Sequence, residues 1–424
     1  MMKSMHQVLI VGGGIHGTFL SHLLSHHLGI TDHVVVDRYA EPLHVWNRHT
    51  RACGMTHLRS PSAHNLEVDY RALRRFAARE NWPAPGTFVP PYARPSLALF
   101  DAHCGAVIRE RRLERFRRQA TVEGIRLHDD RVEAHTNEGV LFAEIVIFAL
   151  GREHALCVPN WAPGLPQDRI THLFSPSLTP LCAPVGSIQA AAPVPSDSTT
   201  VAQDLVIVGA GVSGVQRAIA ESHARVVTLV TEQPIQVRRF DSDPCYIGPK
   251  CYQRFLAEPD YSARRKMIAE ARYPGTIPED LADPLHRAIE AGRIKLIVGR
   301  VETAEVGAAG GQIMLILGNG KTVPASRVIL ATGFGRELPP LVEQVGQTAN
   351  LARHVDGFPI LDRTLRWHPR LVVTGIPAEL ELGPSAPNIV GAINAAKRII
   401  PVFCRSPQTD AWSPLVRALE PVAP

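Results

Sequence analysis

Two stretches of this chain share one pattern, and together they leave few folds open. Gln7-Val-Leu-Ile-Val11 runs into Gly12-Gly-Gly-Ile-His-Gly17, and Asp204-Leu-Val-Ile-Val208 runs into Gly209-Ala-Gly-Val-Ser-Gly214. Each apolar run has the length and composition of a buried strand. Each glycine set has the spacing GxGxxG, through Gly12, Gly14 and Gly17 and again through Gly209, Gly211 and Gly214. A helix follows each, with Phe19, Leu20, Leu23 and Leu24 on the apolar face of the first and Ile219 and Ala220 in the second. The glycines have separate tasks: the first permits a tight turn, the second lets backbone approach a pyrophosphate, and the third lets helix and sheet pack closely. The helix start that follows offers free N–H groups and the positive end of a dipole. Ser213 lies within the second loop.

The strands after the helices differ. His33-Val-Val-Val-Asp37 ends in an acid, and Arg38 follows it. Asp37 is placed to accept hydrogen bonds from ribose hydroxyls. Arg225-Val-Val-Thr-Leu-Val230 ends without one, and Thr231 and Glu232 come next. The missing acid leaves room for a 2′-phosphate, and Arg238 and Arg239 are near enough in sequence to pair with it. NADPH is therefore preferred over NADH. A chain that holds a hydride donor at one site needs an acceptor at the other, and FAD is the natural one.

The expected class is α/β: a Rossmann-like FAD-binding domain interrupted by a smaller Rossmann-like NAD(P)H-binding domain. Two further strands, ending Ala149-Leu-Gly151 and Ala331-Thr-Gly333, bracket the second loop. On that basis residues 1–170 and 326–424 form the discontinuous FAD domain, and residues 204–325 form the NAD(P)H domain. The Pro-, Ser- and Ala-rich stretch between them makes 171–203 an irregular connection. Near the C-terminus, Gly383-Pro-Ser-Ala-Pro-Asn388 precedes a helical pattern over Ile389–Ile400, with Ser385 as the expected N-cap. The start of such a helix can stabilise negative charge on a reduced flavin.

Composition narrows the partners. Hydrophobic residues make up 45% and charged residues 20%, so the chain is a globular protein and not a disordered one. Arginine and lysine total 45 against 40 acids, a near balance that calls for no nucleic-acid partner. The basic run Arg109–Arg118 reads as a solvated helix face. No apolar run approaches the roughly 18 residues of a membrane span. The seven cysteines show neither CxxC nor zinc spacing, so no metal is expected and a reduced, cytoplasmic protein is the default. Self-association is left open.

With these residues in place, the chain resembles the two-dinucleotide flavin monooxygenases, which use FAD and NADPH in one polypeptide. Within them it is most similar to the N-hydroxylating enzymes that act on ornithine or lysine side chains. Trp46-Asn-Arg-His49 and Gly54-Met55-Thr-His-Leu-Arg-Ser-Pro61 look like an expanded form of their Trp-His-x-Gly-Met segment. Ile170-Thr-His-Leu-Phe-Ser175 and Ala331-Thr-Gly-Phe334 look like two further family segments. The Baeyer–Villiger fingerprint FxGxxxHxxxWP is not present; Gly151, His154 and Trp161 echo it only loosely. Disulfide reductases share the layout, but Cys53 has no partner beside it.

The resemblance implies a reaction. NADPH reduces FAD, reduced flavin and O2 give a C4a-(hydro)peroxyflavin, and a nucleophilic nitrogen or sulfur of a small molecule takes one oxygen atom. It places Met55 to Pro61 beside the flavin, with His57 and Arg59 as catalytic candidates. It also assigns Trp46, Met55, Thr332, Gly333, Gly383 and Asn388 to cofactor binding. The alternative is a NAD(P)H-dependent flavin reductase that passes electrons to a quinone or other acceptor.

Overall fold

Val8, Leu9, Ile10 and Val11 are all buried, because the strand Met5–Val11 lies between two others in the middle of a sheet. A strand covered on both faces is apolar at every position and does not alternate. The computed structural model describes residues 5–178, 181, 204–246, 249–307 and 311–403. Most of the connection expected over 171–203, together with Cys182 and Cys404, lies outside the described residues.

The first sheet has eight strands. Its spine runs Arg366–His368, Leu371–Val373, Gly139–Phe148, Met5–Val11, His33–Asp37, Arg117–Gln119. All neighbours are parallel except the first pair. The remaining strands, Val122–Leu127 and Val132–Thr136, form an antiparallel meander leading into Gly139–Phe148. The second sheet repeats the plan with Ile294–Val298, Val227–Thr231, Leu205–Val208, Arg327–Leu330 and Ile170–His172, all parallel. Here too an antiparallel meander (Val301–Val306, Ile313–Leu317, Thr322–Ala325) leads into the next strand, Arg327–Leu330. Two Rossmann-like units built to one design make the expected α/β class.

The expected boundaries at 170, 204, 325 and 326 need correction. The strand Arg327–Leu330 does not return to the first unit; it pairs residue for residue with Leu205–Val208. Ile170–His172 joins its far side, so the chain has already crossed into the second unit before residue 171. The first unit in turn claims part of 204–325. Phe255, Ile268 and Ala271, from the helices Pro249–Ala257 and Tyr261–Ala271, pack into the first unit's core. Charge fixes them there. Glu381 pairs with Arg264 and, at 2.9 Å, with Arg398; Glu379 pairs with Arg265 and, at 2.5 Å, with Arg272. Both carboxylates are buried, and such groups stay ionised in the interior only when paired. Hydrophobic periodicity carries no record of such pairings.

Among the described residues no helix is long and apolar enough to cross a membrane. The expectation of reduced cysteines fails at one pair: Cys245 and Cys251 form a disulfide, their Cα atoms 5.3 Å apart. The turn Pro244–Tyr246 and the start of the next helix bring together two residues whose spacing matches no common motif.

Candidate active site between the two glycine loops

Both loops close in the same way. Gly12 and Gly209 each have φ +109°, a conformation that L side chains rarely adopt. A side chain there would also strike the carbonyl of Ala149 or Ala331. Those alanines open the two Ala-x-Gly segments, and each donates its N–H to the strand before the loop, Ala149 to Val11 at 2.9 Å and Ala331 to Val208 at 2.8 Å. Gly17 and Gly214 press against the carbonyls of Gly12 and Gly209, so helix and turn touch. Gly14 and Gly211 differ from these. A Cβ on Gly14 would meet nothing within 4 Å, and one on Gly211 only the Cα of Gly275 at 3.5 Å. Each precedes a helix, Ile15–His22 or Val212–Glu221, whose start has no side-chain cap and no acid in its first turn. Each loop is thus an open cradle of backbone N–H groups suited to a phosphate. Asp37 stands at the edge of the first, accepting from Gly13 N at 2.5 Å and Tyr39 N at 2.8 Å.

A cleft of about 1210 Å³ lies against the second loop, with Gly209, Gly211 and Ser213 in its wall. Thr332, Gly333, Asn388 and Arg59 line it as well. The first loop reaches it through one residue: His16 bonds Asn388 O at 3.1 Å and Thr374 Oγ1 at 2.8 Å. Burial pushes the His16 pKa down to about 4, against a smaller upward pull from the Asn388 carbonyl, so the ring is neutral near pH 7. The Asn388 side chain donates to Asp241 Oδ2 at 3.1 Å, joining the start of the C-terminal helix to the opposite wall.

The sequence-predicted residues divide sharply. Arg59 is in the cleft wall, but its guanidinium is already committed. It donates to the carbonyls of Arg238 and Phe240 at 2.6 Å, Arg239 at 3.0 Å and Thr276 at 3.3 Å, and to Thr276 Oγ1 at 2.9 Å. It is a clamp between the units. His57 lies outside the cleft, with Nε2 on the carbonyl of Gly86 at 2.7 Å. Trp46 donates to Asp101 at 3.1 Å, and Met55 packs at the seam between the cores of the two units. Arg38 pairs with Glu153, beside Arg48. Arg238 lies over the ring of Tyr273, and Arg239 pairs with Glu279 at 3.0 Å; neither lines the cleft. Gly383, with φ +75°, sits just before the cleft-lining Pro384. Ser385 does not cap the helix. The helix begins four residues later, at Ile389, and the Ser385 hydroxyl is buried without a partner among the described residues.

The cleft also holds two arginines that no motif marked, Arg152 and Arg300, beside an aromatic wall. Arg152 lines it with its guanidinium 5.0 Å from the Phe334 ring centroid. Burial lowers its pKa, and neighbouring Arg272 lowers it further. Phe334 stacks on Phe174 at 5.2 Å, and His49 reaches both rings. Burial pushes His49 and His172 down to about 4, which keeps this aromatic wall uncharged. At the strand end of the second unit, Glu232 and Gln233 face Arg300, which is 3.9 Å from Glu232. Arg300 lines the cleft there, supplied by the turn after the strand Ile294–Val298. Phe174 and Phe334 stand in the two segments quoted above for their family likeness, whereas nothing in the sequence pointed to Arg152 or Arg300.

No family model and no curated protein matches this sequence. Solved structures do. A cadaverine monooxygenase of desferrioxamine biosynthesis from Erwinia amylovora, DfoA bound to FAD, superposes with TM-score 0.69 at 14% identity, over 99% of this chain and 97% of that one. The ornithine N-hydroxylase KtzI of Kutzneria sp. 744, with reduced FAD, NADP+ and L-ornithine, gives 0.71 at 14% identity over 94% and 99%. The ornithine hydroxylase PvdA of Pseudomonas aeruginosa gives 0.69 at 16% over 94% and 99%. Across nearly its whole length, the chain has the fold of two-dinucleotide flavoprotein monooxygenases.

Proposed function

We propose that this chain is an FAD-dependent, NADPH-consuming monooxygenase that places one oxygen atom of O2 on a nucleophilic nitrogen, or sulfur, of a small molecule. The observation that carries the reading is the pair of open glycine cradles, Gly14 and Gly211, on two units that meet at one cleft. The residues present fit both cofactors. Gly12, Gly14 and Asp37 would hold the pyrophosphate and ribose of FAD, with Gly17 setting the helix behind them. Gly209, Gly211, Ser213 and Gly214 would hold NADPH, with Arg300 near its 2′-phosphate. Bound FAD supplies the electron relay and the activation of oxygen. The chain's own part is to orient, to exclude water and to supply charge. The Phe174–Phe334 stack is a dry wall. Arg152 is a cation suited to a phosphate or to a carboxylate on the substrate. His57 and Arg59 act by position, Arg59 through its grip on 238–240.

The test is reconstitution of the purified chain with FAD, followed by NADPH oxidation with ornithine, lysine, cadaverine and simple sulfides. Hydroxylated product in proportion to NADPH consumed is the expected result. A protein that takes up no FAD refutes the reading. NADPH oxidation that reduces quinones but yields no oxygenated product favours a reductase.

A further inference from the structure

We propose that His22, His27 and Glu67 form a binding site for a divalent first-row transition ion, with Zn(II) the first candidate. The site lies at the opposite end of the helix that starts at the first glycine loop. One donor atom from each residue lies within 4.8 Å of the others. Two imidazoles and a carboxylate are a donor set that suits zinc and its neighbours better than calcium or magnesium.

Local structure brings them together. The helix Ile15–His22 ends in a π-helical turn over Leu23–His27. In a regular α-helix, residues five apart diverge around the axis. The wider turn swings His27 back, and its ring centroid comes 5.1 Å from that of His22. Such turns occur often at functional sites. Glu67 arrives on a rigid loop: Asn65, fully buried, donates to the carbonyls of Ser62, Asp69 and Tyr70, and its Oδ1 accepts from Glu67 N at 2.8 Å.

His22 is completely buried, so a charge brought to it must be paired, and the Glu67 carboxylate is the partner at hand. Glu67 offers its two oxygens differently: Oε2 lies 2.9 Å from His22 Nε2, while Oε1 lies 3.4 Å from Arg111 Nη2. Arg111 therefore holds the carboxylate in place from the side away from His22, as outer partners of metal ligands do. Glu67 also lines a groove of about 350 Å³ with Glu110, Arg75, Arg79 and Arg111.

The test uses the untagged full chain after dialysis against a chelator. Equilibrium dialysis at equimolar Zn(II), with elemental analysis, should give one bound equivalent. Co(II) should give the visible d–d absorption of a low-symmetry site, and Zn(II) should raise the melting temperature. His27→Ala and Glu67→Gln, the second nearly isosteric, should lose this uptake by more than about tenfold in affinity while circular dichroism matches wild type. No uptake by wild type, or equal uptake by both variants, overturns the proposal. FAD loading is a separate readout, so failure here is distinguishable from failure of the proposed enzyme.

Discussion

Gly14→Ala separates folding from cofactor binding more cleanly than any other single change in this molecule. Gly14 has φ −74°, open to any residue, and a methyl group there meets nothing within 4 Å. The apoprotein should lose nothing, and restricting the unfolded chain should add about 0.4–1 kcal/mol of stability. The methyl group fills the space that a pyrophosphate needs beside the helix start. Displacing one charge-assisted N–H to phosphate bond costs about 1.5–3 kcal/mol. That is roughly 10- to 100-fold in FAD affinity. Gly17→Ala is the control, since its Cβ collides with the Gly12 carbonyl; the apoprotein should be destabilised by about 3 kcal/mol or more. Flavin fluorescence titration and apoprotein melting read the two effects. A Gly14→Ala protein that binds FAD with wild-type affinity refutes the cradle. One that fails to fold refutes the open space.

Gly211→Ala should leave FAD content unchanged and raise KM for NADPH; steady-state kinetics on the FAD-loaded protein check this. Arg300→Gln should raise KM for NADPH by about 3- to 10-fold and leave NADH unaffected, the modest size reflecting an exposed cation. Arg239→Gln should not change that ratio, and the reverse pattern would restore the assignment read from sequence. Arg59→Lys should cost about 2 kcal/mol or more in urea unfolding, because an ammonium cannot reproduce the fork that serves four carbonyls. His33 stacks on Phe116, donates through Nδ1 to the carbonyl of Ile30 and accepts from Ser21 at Nε2. Burial pushes its pKa down to about 4, so on acidification the unfolded state takes up the proton first. Its contribution is intact above about pH 6.5 and is lost as pH falls toward 4, by about 2 kcal/mol between about pH 7 and 5. His33→Asn should flatten that pH dependence of the urea midpoint, and an unchanged slope would contradict it.

The glycine loops were legible because backbone geometry imposes them. A positive φ at Gly12 and Gly209 and helix contact at Gly17 and Gly214 tolerate almost no other residue, so the pattern survives in the letters. The strand ending at Ala331 was seen but assigned to the wrong unit. Its apolar pattern says it is buried, and nothing in it names its neighbour. The helices over 249–271 were misplaced for a related reason: their address is written in Glu379 and Glu381, more than a hundred residues away. Arg59 was marked only by the resemblance, as a catalytic candidate; the row of carbonyls its fork serves comes from residues some 180 and more positions away, which the sequence does not connect to it. Arg152 and Arg300 had no signal, since a lone arginine after a strand looks the same in a cleft as on a surface.

The clamp at Arg59 has a consequence for how this protein can change over generations. Almost every partner it holds is a main-chain oxygen, which all twenty amino acids provide. Drift in the identities at 238 and 239 would therefore leave the clamp between the units intact, whereas Phe240 is buried and packs on Tyr92. Laboratory libraries at those two positions should yield mostly folded proteins.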